Sequence, residues 1–160
     1  MWKSANFSDT YKPFYDDATS IDIIGQVMIG PSTPTWLHTR FNMPIHEKIN
    51  YVEYPSRDLE ATKAFFQTAF DWSFEDYGPD YAAFSGQGLD GGFFKSDLVA
   101  KSDKGSALIV FYSEHLEDTL EKISSAGGQI VKPIFSFPGG RRFHFCEPSG
   151  NEFAVWADAE

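Results

Sequence analysis

The chain has 160 residues, 42% of them hydrophobic and 22% charged, a composition typical of one globular domain with or without an extension. Its formal net charge of −10 argues against a nucleic-acid partner, because an acidic surface repels the phosphate backbone. No segment approaches the apolar length of a membrane span, and the N-terminus does not resemble a signal peptide. We therefore predict a cytoplasmic protein with no membrane partner.

Residues 1–42 differ from the rest of the chain because they contain few periodic patterns. Residues 21–29 fit an interrupted strand or a hairpin around Gly25, and the glycine and prolines of residues 30–34 end it. We interpret residues 1–42 as an N-terminal extension and residues 43–160 as the folded domain. The extension either packs on the domain or on a neighbouring subunit through its aromatic residues, or is an appendage.

The first half of the domain begins with a predicted strand at residues 49–54, which alternates in hydrophobicity and ends at Pro55. Asp58 then opens a helix that extends to about Phe70, because apolar residues recur at helical spacing. Three short strands follow, separated by glycine-containing turns, at residues 72–77, 81–85 and 92–94.

The second half repeats this order. Residues 107–112 form an apolar strand, and a helix then extends from Leu116 to a glycine pair that begins at Gly127. The remaining strands are predicted at residues 129–137, 142–146 and 152–156.

An internal repeat supports this reading. The segment LEAT at residues 59–62 matches LEDT at residues 116–119, at an offset of 57 residues (116 − 59), which indicates a duplicated unit. We therefore predict an α+β fold of two tandem βαβββ modules, at about residues 45–99 and 105–158. Their curved mixed sheets should enclose a cavity.

Three segments carry a resemblance to a known family. They are residues 52–66 (VEYPSRDLEATKAFF), residues 70–72 (FDW) and residues 147–153 (EPSGNEF). With the repeat, they resemble the vicinal oxygen chelate superfamily, which includes glyoxalase I, bleomycin-resistance proteins and extradiol dioxygenases. The resemblance covers about residues 45–158 and implies the glyoxalase-like fold and a small-molecule ligand. It also implies a homodimer, with the cavity either within one chain or shared between chains.

The resemblance implies a divalent metal held by His, Glu or Gln side chains on four strands. The matching positions in this chain are Tyr51, Leu108, Ala154 and, by a looser alignment, Phe94. None of the four is a usual ligand of such a metal. We therefore expect no metal at the usual position and no cofactor.

The predicted cavity lining follows from strand alternation, because residues two apart on a strand share a face. The lining residues extrapolated from the four positions are Tyr51, Glu53, Phe94, Leu108, Val110, Tyr112, Glu152, Ala154 and Trp156. Among them we predict Glu53 as the catalytic residue, because a carboxylate among aromatic rings can act as a general base or bind a cation. Its alternatives are an ion pair or a carboxylate exposed to water.

His144 and Arg142 complete the predicted ligand contacts. His144 points to the cavity if the flanking phenylalanines pack under the helices, and is structural if they do not. Either Arg142 or its neighbour Arg141 could reach the cavity mouth and bind a carboxylate. Tyr77 and Tyr81 are predicted to form a lip over the cavity.

The other histidines and the single cysteine are predicted to lie outside the site. His46 and His115 should be exposed, and His38 belongs to the extension. Cys146 excludes an internal disulfide and is predicted to be a buried structural thiol.

Three functions remain open at this point. The first is a small-molecule-binding protein of the glyoxalase/bleomycin-resistance type, with a metal-free aromatic cavity for a flat or cationic molecule. The second is a lyase, isomerase or dioxygenase that uses Glu53 as a base or a displaced divalent metal held by Glu53, His144 and Glu152. The third is a protein-interaction module with a vestigial cavity.

Overall fold

The computed structural model describes residues 44–159, and the predictions for residues 1–42 lie outside this part of the chain. Within it, the first half contains β1 (Tyr51–Ser56), α1 (Leu59–Phe70), β2 (Phe74–Asp76), β3 (Tyr81–Phe84) and β4 (Asp90–Lys95). The second half contains β5 (Ile109–Tyr112), α2 (Leu116–Ser125), β6 (Gln129–Phe137), β7 (Gly140–Cys146) and β8 (Glu152–Ala157). A short 3-10 helix (Ser102–Lys104) lies between the halves. The predicted order of two βαβββ modules is confirmed.

Each half forms one four-stranded mixed sheet with the same topology. The strand orders are β1-β4-β3-β2 in the first sheet and β5-β8-β7-β6 in the second. The first strand of each half lies at a sheet edge and pairs in parallel with the last strand, and the other neighbours are antiparallel. The matching orders confirm the internal repeat.

Helix α1 begins and ends where its sequence predicts. The Asp58 side chain accepts a hydrogen bond from the Ala61 amide at 3.0 Å, which satisfies one of the amides left free at a helix start. At the other end Asp71 adopts the left-handed conformation with φ 57° and caps the helix. One face of the helix is buried, through Thr62, Phe65, Phe66 and Ala69.

The two sheets share one aromatic core. The ring of Phe66 on α1 lies 5.4 Å from Phe93 of the first sheet and 5.5 Å from Phe153 of the second. Tyr54 of β1 lies 5.0 Å from Phe153, so the sheets also meet directly. Most of the chain's many phenylalanines therefore fill core volume. The side of each sheet that faces the helices is the side that meets the other sheet.

Strand β2 is shorter than predicted, because Trp72 packs into the core instead of joining the sheet. The prediction began this strand at residue 72, but β2 begins at Phe74. Trp72 lies in the turn before it, 7% exposed, with its ring stacked 4.5 Å from that of Phe66. None of the helices formed by residues 44–159 has the length and apolar character needed to span a membrane.

Candidate functional site

Side chains opposite the shared core form two outer faces, one on each sheet. The registers follow from pairs such as Glu53 with Gly92 in the first sheet and His144 with Ala154 in the second. The first outer face carries Tyr51, Glu53, Tyr81 and Phe94. The second outer face carries Val110, Tyr112, Arg142, His144, Glu152, Ala154 and Trp156. Strand alternation thus correctly grouped the predicted residues within each sheet.

Tyr81 organises the first outer face. A β-carbon at Gly92 would lie 2.2 Å from the Tyr81 hydroxyl oxygen, so the tyrosine lies across this strand only because residue 92 is glycine. The hydroxyl donates to Glu53 Oε1 at 2.9 Å and lies 2.9 Å from the Tyr51 hydroxyl. Because Tyr81 has one hydroxyl proton, Tyr51 donates to Tyr81. Burial, followed by these two hydrogen bonds, raises the pKa of Tyr81.

Glu53 lies on an open face within one chain. We expected rings to enclose it, but its side chain is exposed, with Tyr81 as its hydrogen-bond partner. The reason is that the first outer face points away from the second sheet. A catalytic role for Glu53 stays a prediction.

His144 and Glu152 form a buried pair on the second outer face. His144 is 2% exposed, Glu152 is 7% exposed, and His144 Nδ1 lies 2.8 Å from Glu152 Oε1. The other carboxylate oxygen accepts from the Ser102 amide at 2.8 Å and the Ser102 hydroxyl at 2.7 Å. Burial by itself would raise the pKa of Glu152, but the hydrogen bonds from His144 and Ser102 outweigh it and lower the pKa to about 2.

The ionised carboxylate fixes the proton of His144. A carboxylate has only acceptor oxygens, so Nδ1 of His144 must carry the hydrogen that lies between the two side chains. In the neutral imidazole, Nε2 then holds a free electron pair. Nε2 is buried, and none of the residues that the structure describes hydrogen-bonds to it. The pair therefore presents one unsatisfied nitrogen to the second outer face.

Arg142 lies beside His144 on the same strand face. Its guanidinium carbon is 5.1 Å from the ring centroid of Phe135 and 5.2 Å from that of Phe137, both on β6. Its Nε is buried and has no hydrogen-bond partner in the described part of the chain. Of the two arginines considered from sequence, Arg142 occupies the face, whereas Arg141 forms an ion pair with Glu117 at the start of α2.

The strand next to β7, β6, is irregular where it lies beside His144 and Arg142. Its pairing with β7 shifts register between Ile130 and Lys132 and again between Lys132 and Phe135. The Phe135 ring lies 5.9 Å from the His144 ring. A ligand that reached His144 would therefore displace a side chain from a strand already irregular there.

Aromatic rings form the exposed rim of the face. Trp156 lies 5.2 Å from the ring of Tyr112 and 6.5 Å from that of Phe137. Tyr112 is 53% exposed and donates a hydrogen bond to Asp158 at 3.0 Å. This rim offers a flat organic group an apolar contact next to Arg142.

A cavity of about 270 Å³ lies between the two sheets, as predicted, but its lining differs from the predicted set. It is formed mostly by residues that face the shared core, such as Val52, Tyr54 and Ile109. Of the predicted lining residues only Val110 and Tyr112, on the edge strand β5, border it. The two outer faces lie on opposite sides of the core, so one chain does not bring Glu53 to His144.

The residues at the family's metal positions do not fit a divalent ion. Leu108 lies just before β5 and Ala154 within β8, and neither has a donor atom. The displaced site of Glu53, His144 and Glu152 is not formed within one chain, since Glu53 is on the other sheet. Within residues 44–159 we find no group of three or more His, Cys, Asp or Glu side chains placed to hold a metal.

The predictions for His46, His115 and Cys146 agree with the structure, whereas neither Tyr77 nor Tyr81, predicted to form a lip, borders the cavity between the sheets. His46 and His115 are exposed, and Cys146 is 5% exposed, with burial raising the pKa of its thiol. His38 lies outside the described residues.

Sequence reasoning missed a buried polar cluster around Glu147. Residues 147–153 served only as a family motif, but Glu147 is 2% exposed and accepts from the Ser149 amide, the Asn151 amide and side chain, and the Thr62 hydroxyl. Burial raises the pKa of Glu147 although these bonds favour its charged form. The sequence signal that could have indicated this cluster was an acidic residue directly before a glycine-containing turn. In the structure Gly150 of that turn has φ 98°.

Two βαβββ halves with matching mixed sheets define a glyoxalase-like fold. A sequence profile of the Glyoxalase/Bleomycin resistance protein/Dioxygenase superfamily matches residues 48–155. The chain therefore belongs to this superfamily, and the resemblance stated from sequence is confirmed. A comparison with curated proteins finds no match.

Solved structures share this fold at low identity. A glyoxalase-related enzyme from Fulvimarina pelagi is 19% identical, with a TM-score of 0.57 over 70% of this chain and 88% of that chain. The fosfomycin resistance protein FosX from Listeria monocytogenes is 21% identical, with a TM-score of 0.59 over 72% and 96%. Lactoylglutathione lyase from Agrobacterium tumefaciens is 16% identical, with a TM-score of 0.53 over 69% and 93%.

Proposed function

We propose that the protein binds a small organic anion on the second outer face, without a metal. One observation carries the proposal: Arg142 Nε and His144 Nε2, two residues apart on β7, are both buried and have no hydrogen-bond partner among residues 44–159. Buried polar atoms are rarely left unpaired in folded proteins, so two on one face point to a missing partner. An oxyanion would accept hydrogen bonds from Arg142 and, when the imidazole is protonated, from His144.

The charges on this face favour an anion over a cation. Both carboxylate oxygens of Glu152 are engaged by hydrogen bonds from His144 and Ser102, whereas no carboxylate among residues 44–159 pairs with Arg142. The rings of Phe135 and Phe137, which could have formed a cage for a cationic ligand, are occupied by the guanidinium itself. The cationic ligand considered from sequence is therefore the weaker fit.

Relatives of the same fold make such a ligand reasonable. A variant of Listeria FosX was solved with Mn(II) and dihydroxypropylphosphonic acid, which is a small organic anion. That structure contains a metal, whereas the family metal positions here include Leu108 and Ala154, which provide no donor. The anion would therefore rely on Arg142 and His144 for charge balance.

A thermal-shift titration tests the ligand class, because a molecule that binds the folded state raises its melting temperature. Benzoate and phenylphosphonate should stabilise the protein more than benzyl alcohol or benzylammonium. Arg142→Met keeps the apolar stem and should abolish the benzoate shift, whereas the matched control Arg141→Met should retain it. Stabilisation by benzylammonium but not benzoate, or an unchanged shift in Arg142→Met, would contradict the proposal. Titration with nickel, zinc and manganese tests whether the protein binds a metal, and we expect none of the three to bind.

The proposal includes a homodimer in which the first outer face of one copy covers the second outer face of the other. Exposed Glu53 on one face and unpaired Arg142 on the other are complementary in charge. This arrangement would bring Glu53, predicted as catalytic, to the ligand. Size-exclusion chromatography with light scattering should show a dimer that Glu53→Lys weakens and Glu121→Lys, on the exposed side of α2, does not. A monomeric wild-type protein would rule it out.

A second candidate function is acid–base catalysis by His144, in a cytoplasmic enzyme of the lyase or isomerase type. The observation in its favour is the orientation of the imidazole by Glu152, which leaves Nε2 free to exchange a proton with a bound anion. Proton NMR in deuterium oxide would detect exchange of the methyl protons of pyruvate, which lie next to its ketone. Exchange that His144→Gln abolishes would support an enzyme, and its absence would leave the binding function.

A further inference from the structure

The cavity between the sheets has the composition of a second binding site, and most of its lining lies on the core side of the sheets, opposite the outer faces. It measures about 270 Å³ and is walled by Val52, Tyr54 and Phe93 from the first sheet and Ile109, Phe111 and Phe153 from the second. None of the described residues that line it carries a charge. An engineered cavity of about 150 Å³ in another protein holds benzene, so a space of this size accommodates one or two rings.

The cavity holds one polar group that the fold does not satisfy. Tyr54 is 4% exposed, and its hydroxyl oxygen is buried without a hydrogen-bond partner within residues 44–159. Burial raises the pKa of Tyr54, so the group stays a neutral hydroxyl with a proton to donate. Its ring lies 5.8 Å from Phe93 and 5.0 Å from Phe153, and a phenylalanine would make the same ring contacts. Packing therefore does not require the hydroxyl.

The cavity has a rim through which a ligand can enter. Gln87 and Leu89 border it from the loop between β3 and β4, and Gln87 is exposed. Val110 and Tyr112 border it from the edge strand β5, where both side chains are exposed. Solvent thus reaches the cavity at one end, while Tyr54 lies among the buried residues.

We propose that this cavity binds a neutral molecule of one or two rings whose carbonyl or ether oxygen accepts a hydrogen bond from Tyr54. The uncharged lining excludes the organic anion assigned to the second outer face, because a charge buried without a partner is strongly unfavourable. The apolar walls bind the rings, and the single hydroxyl selects molecules with an acceptor oxygen. The occupant and its site are therefore different from those of the proposed function.

A matched pair of probes isolates the contribution of the hydroxyl. 1-Indanone and indane have nearly the same shape, and only the former has a carbonyl oxygen. Titrations followed by two-dimensional NMR should show 1-indanone binding about 3- to 10-fold more tightly than indane, the range expected for one net hydrogen bond. Perturbed amides should be those of Val52, Ile109 and Phe153, with His144 and Arg142 unaffected.

Two variants complete the test. Tyr54→Phe should bind both probes equally and should melt at the same or a higher temperature than the wild type, because it removes an unpaired buried hydroxyl. Val52→Phe, which fills the cavity, should bind neither probe while keeping the wild-type circular dichroism spectrum. Equal binding of the probes to the wild type, binding of neither, or a clear loss of stability in Tyr54→Phe would overturn the proposal.

Discussion

Glu147 and Glu152 are both buried, but their surroundings shift their pKa values in opposite directions. Glu147 accepts hydrogen bonds from neutral donors, and burial still raises its pKa. Glu152 bonds to His144 as well as Ser102, and its pKa falls to about 2. The two sites differ because Glu152 has a partner, His144, that can carry a positive charge, whereas the partners of Glu147 are neutral. Burial class alone would have predicted the same behaviour for both residues.

The depressed pKa of Glu152 predicts how stability depends on pH. A carboxyl whose pKa is lower in the folded state contributes stability above its unfolded pKa, near 4.5, and this contribution is lost as pH falls towards 2. Glu152→Gln should therefore lower the free energy of unfolding at neutral pH, by roughly 3 kcal/mol at most. The deficit should shrink as the pH falls below about 4.5. Urea unfolding from pH 2.5 to 7 measures it.

Glu117→Gln is the matched control for this prediction. Glu117 also has a lowered pKa, because of its hydrogen bond from Arg141, but its side chain is exposed at the start of α2. Exposed ion pairs contribute little to stability, so its variant should behave nearly as the wild type at every pH. An equal deficit in the two variants would contradict the role assigned to the buried pair.

The sequence left open whether His144 shares a face with Glu152, and it gave no sign of their third partner, Ser102. Strand alternation is local and predicts which side chains share a face. The bond from Ser102 to Glu152 spans 50 positions and depends on how the segment between the halves crosses the sheet. Contacts of this kind are set by tertiary packing, which no local pattern in the chain encodes.

Among the elements, the helices were predicted more closely than the short strands. Helix α1 ends at Phe70, as predicted, because its capping residue and its apolar spacing are local signals. Strand β4 begins at Asp90, two residues before its predicted start, since neither Asp90 nor Gly91 carries a hydrophobic signal. Gly91 and Gly92 are needed instead for the close approach of Phe84 and Tyr81 from the neighbouring strand.

Because only one of the two helices has a side-chain cap at its start, we expect alanine substitutions at the two starts to change stability by different amounts. Asp58 caps α1 through its side chain, whereas His115 at the start of α2 makes no side-chain cap. Asp58→Ala should lower the free energy of unfolding by about 1 kcal/mol, and His115→Ala should lower it by a few tenths or less. Thermal unfolding followed by circular dichroism compares them. Equal losses would show that the Asp58 cap does not stabilise the helix start.

At the scale of the whole molecule, the sequence predicted two modules but not which of their faces meet. Alternation assigned Tyr54 and Glu53 to opposite sides of β1, and the predicted cavity lining placed the Glu53 side towards the second sheet. The contact of Tyr54 with Phe153 shows that the Tyr54 side faces it instead, which places the two polar outer faces on opposite sides of the core. A site that needs both faces therefore needs a second copy of the chain.

The Glu147 cluster joins the halves near the end of β1. Thr62 of α1 donates to Glu147 Oε2 at 2.9 Å, and its hydroxyl lies within 3.1 Å of those of Ser56 and Ser149. Asn151 donates to the Pro55 carbonyl at 2.7 Å. The turn before the last strand thus bonds to the first strand and the first helix. The motif of residues 147–153 therefore has a structural role in this chain, where it connects the two halves.

Thr62→Val tests whether this cluster stabilises the whole molecule. The substitution keeps the shape of the side chain but removes the hydroxyl, leaving Glu147 one hydrogen bond short in a buried site. We expect a loss of about 1–3 kcal/mol, the range for an unsatisfied buried polar group. Thr68→Val is the matched control on the exposed side of α1 and should change stability by less than about 0.5 kcal/mol. Urea unfolding followed by both tryptophan fluorescence and circular dichroism should show one transition in each protein, because the cluster spans both halves. A Thr62→Val loss no larger than that of the control would show that the cluster does not hold the modules together.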